Sequence, residues 1–111
     1  MSFKLPNIFP DAGMLLLEDE LFETLAGNMD VKIERIISQG QVTPERYWYD
    51  QPADEWVILL SGKAKIIFEN EDVIELLAGN YLLIPAHTKH KVTYTSTDPF
   101  CVWLAIHGKL T

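Results

Sequence analysis

The chain has 111 residues, 48% hydrophobic and 23% charged, with a net charge of −7. That length favours one domain able to bury a real core without disulfides, and the composition is that of an ordinary folded protein. The negative charge speaks against nucleic acid, which asks for a basic face, and against an anionic membrane surface. Part of the acidity is local: Glu18, Asp19, Glu20 and Glu23 cluster near the N-terminus and read as a solvated face.

The opening MSFKLPNIFPD lacks the apolar stretch of a secretory signal, and no run approaches the ~20 apolar residues of a membrane helix. A cytoplasmic location is the expectation. MLLLEDELFETLAG then reads as a short helical turn followed by a strand. The alternative is a strand over Leu21 to Leu25 that turns at Gly27-Asn28 and pairs with residues 31 to 37.

From residue 31 the pattern is strand after strand. Val31, Ile33, Arg35 and Ile37 alternate with Lys32, Glu34 and Ile36. RYWYDQ (46–51) is rich in strand formers. EWVILL (55–60) is a buried strand ended by Ser61-Gly62, and KAKIIF (63–68) follows at once, which reads as a hairpin. A polar turn leads to VIELL (73–77), and Ala78-Gly79-Asn80 to YLLI (81–84). KVTYT (91–95) and FCVWLAI (100–106) are separated by a turn over Ser96 to Pro99. Seven or so short strands with proline and glycine only at the punctuation imply an all-β sandwich or barrel over residues 1–111 as a single domain, its core at about 31–107. The lone Cys101 allows no internal disulfide and reads as a small buried hydrophobe.

Two stretches carry a more specific signal. Tyr49-Asp50-Gln51-Pro52-Ala53-Asp54-Glu55 is followed by six residues and Gly62; Gly79 is followed by five residues, Pro85, His90 and then Tyr94. These spacings resemble the two motifs of the cupins, small double-stranded β-helix (jelly-roll) barrels. In that family two histidines and a glutamate of the first motif and a histidine of the second bind a divalent metal. Here Glu55 and His90 hold their places. In the preferred register the first-motif histidines are replaced by Tyr49 and Gln51; shifted by one, by Trp48 and Asp50. His87 stands where the second motif has glycine, and Tyr94 where it has asparagine.

The resemblance therefore implies a degenerate metal site of Gln51, Glu55 and His90, for manganese, iron, nickel or zinc. Tyr49 and Tyr94 are the candidate catalytic acids or hydrogen-bond donors. Strand parity places His90, Val92 and Tyr94 on one face, so that Tyr94 would share the interior with His90. His87, in the turn, is expected to cap it or face solvent, and His107 to lie on the surface. Two functions follow: a metal-dependent enzyme on a small molecule (isomerase, lyase or oxygenase type), or a non-catalytic cupin that binds or senses a small ligand, with dimerisation through a free sheet edge compatible with either. A coherent alternative to metal is a buried Glu55–His90 hydrogen-bonding pair.

Overall fold

The computed structural model describes residues 5–11 and 17–111. The eight strands are β1 (Leu21–Gly27), β2 (Lys32–Ser38), β3 (Asp54–Ser61), β4 (Lys63–Phe68), β5 (Val73–Leu77), β6 (Tyr81–Ile84), β7 (His90–Thr95) and β8 (Cys101–Gly108). They form two antiparallel sheets, one ordered β1-β2-β8-β3-β6 and the other β5-β4-β7. Among the described residues there is no helix, and none long and apolar enough to cross a membrane. The expected N-terminal helical turn falls partly on residues 12–16, outside the described residues. Residues 17–20 are irregular, and the alternative strand is the one formed: β1 turns at Asn28, whose side-chain oxygen accepts from the Asp30 and Val31 backbone, and pairs with β2.

The core lies between the sheets. Val57 and Leu59 of β3, Ala64 and Ile66 of β4, Leu76, Ile84, and Cys101, Trp103 and Ala105 of β8 form one buried cluster. Each strand contributes alternate residues, because successive side chains of a strand point to opposite faces. Cys101 is fully buried, and its thiol donates to the Lys63 carbonyl at 3.2 Å.

Two expectations need correction here. EWVILL and KAKIIF are not a hairpin: β3 pairs with β6 and β8, whereas β4 pairs with β5 and β7. A single residue, Gly62, separates them, too few for the usual two-residue hairpin loop. With φ +90° and a Cβ position only 2.8 Å from Cys101 Sγ, Gly62 turns the chain from one sheet to the other. RYWYDQ is not a strand either; it contributes one isolated bridge, in which Tyr49 and His90 exchange both backbone hydrogen bonds at 2.8 and 3.1 Å.

Candidate functional site

Four titratable side chains meet at one end of the barrel. Glu34 comes from β2, Glu55 from the start of β3, His107 from the end of β8 and His90 from the start of β7. Parity puts them there. Glu34 shares a face with Ile36, Glu55 with Val57 and Leu59, and His107 with Ala105 and Trp103, all of which pack into the core. Register then brings them together: Glu55 is directly opposite His107, and Glu34 is opposite Ala105, one diagonal step away.

The distances define a chain of four groups. His107 Nε2 lies 3.1 Å from Glu34 Oε1 and 3.9 Å from Glu55 Oε2, and His90 Nε2 lies 3.8 Å from Glu55 Oε1. Lys32 Nζ approaches Glu34 at 3.3 Å. His90 Nδ1 is 2.8 Å from the Thr88 carbonyl, which only accepts, so Nδ1 carries a hydrogen and Nε2 is the nitrogen turned toward Glu55. His107 Nε2 donates to Glu34 by the same logic. Glu55 receives no hydrogen bond from a described residue, and its side chain keeps 10% of its surface open. Burial pushes its carboxyl above the ordinary value; His107 and His90 pull it down, and Glu34 adds to the rise.

Aromatic rings flank His90. Tyr49 stacks on it at 5.5 Å and Phe68 tilts against it at 6.1 Å. The Tyr49 phenol is raised by burial and then by surrounding negative charge, Glu20, Glu55 and Glu34 among its sources. Glu20 is thus no part of a solvated acidic face. Its carboxylate takes the Ser38 hydroxyl hydrogen, Ser38 in turn accepts from Trp103 Nε1 at 3.2 Å, and burial raises the Glu20 carboxyl. Glu23 is likewise engaged, paired with Arg35 at 2.8 Å.

The remaining expected residues fall as follows. Gln51 is half-buried; its backbone carbonyl accepts the His87 N–H, and its side chain makes no hydrogen bond to Glu55 or His90. Tyr94 is 45% exposed and does not join the site. The register between β4 and β7 shifts from Lys65–Tyr94 to Ile66–Val92, so Thr93 is an extra residue and the alternation flips beyond it. Tyr94 instead borders a groove with Leu60, Lys63, Leu77 and Asp98. His87 is exposed, as expected of a turn residue, with Nδ1 2.8 Å from Asp50 Oδ1. His107, expected at the surface, is instead a member of the cluster with its side chain 14% exposed. The inward alternation of Cys101, Trp103 and Ala105 was the signal that reaches it. Glu34 was reachable by the same parity, through Ile36.

A divalent metal fits this donor set only in part. His90 offers an oriented lone pair, backed by a backbone carbonyl as metal-bound imidazoles are, and Glu55 a carboxylate. Among the described residues no three His, Cys, Asp or Glu side chains are disposed to hold one ion. Among the described residues, cavities of about 360 to 650 Å³ open at five places on the surface, and none of these five is lined by Glu34, Glu55, His90 or His107.

Comparison with known proteins agrees with this architecture. Residues 33–107 match the cupin domain family. A crystal structure from Ralstonia eutropha JMP134, described as a "putative mannose-6-phosphate isomerase", is 41% identical, with a TM-score of 0.88 over 96% of this chain and 98% of that one. A cupin superfamily protein of Desulfitobacterium hafniense DCB-2 is 23% identical, with a TM-score of 0.72 over 95% and 94% of the two chains. An RmlC-like cupin of Methanocaldococcus jannaschii with a double-stranded β-helix fold is 17% identical, with a TM-score of 0.71 over 98% and 93%. No curated protein matches the chain.

Proposed function

The chain belongs to the cupin domain family, and from that premise we propose that it is a small-molecule cupin whose Glu34–His107–Glu55–His90 end moves protons on a bound hydroxy-carbonyl compound, as an isomerase does. The observation that carries this is Glu55: a buried carboxylate set between two imidazoles and hydrogen-bonded to neither. Such a group costs stability and is characteristic of working sites. The isomerase name of the Ralstonia eutropha relative supports the same class.

The chemistry asks for one base and one acid. Glu55, made more basic by burial, takes the proton from the carbon beside the carbonyl. The Glu34–His107 pair, which shares the Nε2 hydrogen, is the group at hand to pass a proton to the carbonyl oxygen as negative charge builds there. The resulting enediol collapses to the other isomer when Glu55 returns its proton to the neighbouring carbon and the hydroxyl on the carbon first deprotonated gives its own proton back to the Glu34–His107 pair. Tyr49, stacked on His90, covers one face of that ring. No step here passes through a metal.

A second reading, a cupin that binds or senses a ligand without turning it over, draws on the cavities lying elsewhere on the molecule. One experiment separates these readings and also addresses manganese, iron, nickel and zinc. Wild type, Glu55→Gln and His90→Ala, purified without chelator, are assayed on hydroxy-aldehydes and hydroxy-ketones and submitted to elemental analysis. Turnover that falls roughly 10²–10⁴-fold in Glu55→Gln, with no metal in wild type, is the expected result. Ligand binding without turnover favours the second reading. Stoichiometric metal lost in His90→Ala overturns the metal-free chemistry.

A further inference from the structure

The largest of the five cavities, about 650 Å³, lies at the other end of β3 from Glu55, where the chain crosses from one sheet to the other. Its lining includes Leu60, Lys63, Leu77, Tyr94, Asp98 and Pro99. We propose that this cavity binds a small zwitterion with an apolar body, of the class of an apolar amino acid. It shares no residue with the Glu34–His107–Glu55–His90 end and stands whether or not that end is catalytic.

Two strand irregularities shape the cavity. In β3 the pairing with β8 skips Leu60, and in β7 the pairing with β4 skips Thr93, so that Tyr94 is aimed out of the barrel and borders the cavity. Bulges of this kind re-aim side chains beside functional sites. Lys63 and Ser96 are tied to each other: the Lys63 N–H donates to Ser96 Oγ and the Ser96 N–H to the Lys63 carbonyl, both at 2.9 Å. Ser96 Oγ in turn donates to the Pro99 carbonyl at 2.6 Å. These bonds fix the backbone at Lys63 and on both sides of Asp98.

Charge selects the ligand. Lys63 and Asp98 line one cavity, yet neither forms an ion pair with the other or with any other described residue. The β5 residue opposite Lys63 is Leu77, whereas Lys65 has Glu75 opposite it. A surface lysine without a partner is ordinary by itself. An uncompensated cation and an uncompensated anion on the lining of one largely apolar hollow are matched by a single molecule that carries both charges. A ligand with only a carboxylate would meet Lys63 but gain nothing from Asp98, and one with only an ammonium the reverse. Leu60, Leu77, Pro99 and the Tyr94 ring offer the apolar surface for the ligand's body, and the volume falls in the range of roughly 300–1,000 Å³ that small-molecule sites occupy.

The test uses three probes on one skeleton: phenylalanine carries both charges, phenylpropionate only the carboxylate and phenethylamine only the ammonium. Binding is followed by NMR titration of wild type, Lys63→Met and Asp98→Asn, with the Tyr94 and Ser96 resonances as the local readout and the His90 ring as the remote one. Lys63 and Asp98 are both exposed, so neither substitution opens the core. Phenylalanine is expected to bind wild type roughly threefold or more tightly than either relative. Lys63→Met is expected to bring phenylalanine down to phenethylamine, and Asp98→Asn to bring it down to phenylpropionate. Equal affinity of wild type for all three probes overturns the charge selection. Phenylalanine binding that survives both substitutions, or that moves His90 and leaves Tyr94 unmoved, puts the ligand elsewhere and overturns the site. No binding of phenylalanine to wild type overturns the proposal outright.

Discussion

Glu55 is buried, its carboxyl receives no hydrogen bond from a described residue, and burial pushes that carboxyl upward against the pull of two imidazoles. A group whose folded-state value is raised binds its proton more tightly when folded. Stability therefore falls as pH rises from about the unfolded value of 4.5 through the higher folded one. Glu55→Gln does not titrate. It is expected to unfold at higher denaturant than wild type at neutral pH, with the difference shrinking on acidification below that range. Equal midpoints across the range would mean that Glu55 is no burden to the fold, and the case for its functional retention would go with it. His107 carries a different lesson at the same scale. A histidine after the last apolar residue of a strand looks like surface, yet its place two residues beyond Ala105 already puts it on the inward face.

At the scale of elements, two local devices decide which side chains reach the interior. In β7 the extra residue Thr93 turns Tyr94 outward, so strict alternation, sound for His90 and Val92, fails four residues on. Nothing in the residues KVTYT announces a bulge; it arises from fitting β7 against the register of β4. At the corner between β3 and β4, Gly62 adopts φ +90° beneath Ser96 and Cys101, and a Cβ there would sit 2.8 Å from Cys101 Sγ and 2.9 Å from Ser96 Oγ. Gly62→Ala is expected to destabilise by more than about 1 kcal/mol, since it combines an unfavourable backbone with a clash against buried atoms. Gly79→Ala provides the control. It has the same sign of φ at +93° but nothing within 4 Å of the added carbon, so only the backbone term applies. Urea unfolding of the two variants side by side reads the difference; an equal loss would show that the corner is not tightly packed.

Closure belongs to the whole molecule. Asp54, at the start of β3, accepts from the Ala86 N–H with one oxygen and from the Leu110 N–H and the Thr111 N–H and hydroxyl with the other, at 2.8 to 3.1 Å. It ties together three segments remote in sequence at the same end of the barrel as Glu55 and His107. Those hydrogen bonds hold its carboxyl below the usual value of 3.8. A lowered carboxyl gives stability that is present above the unfolded value and lost as pH falls through the folded one. Asp54→Asn is expected to be less stable than wild type at neutral pH, the gap narrowing in strong acid, measured by thermal unfolding across that range. A gap independent of pH would assign the effect to shape and not to charge.

The sequence by itself determined the all-β class and the strand-by-strand punctuation, and two spaced motifs that resemble those of the cupins implied an interior place for His90 and Glu55. Each is written in local terms: a period of two, turn residues at fixed places, two spaced motifs. Tertiary structure alone decided the partners. It separated β3 from β4 into different sheets, brought the ends of β2 and β8 beside the start of β3, and so set Glu34 and His107 against Glu55. It also turned Tyr94 away from the interior. Alternation along one strand says which face a side chain takes. Which other strand lies across from it depends on pairings between residues as distant as Asp54 and Gly108, and these are fixed only when the two sheets close on a common core.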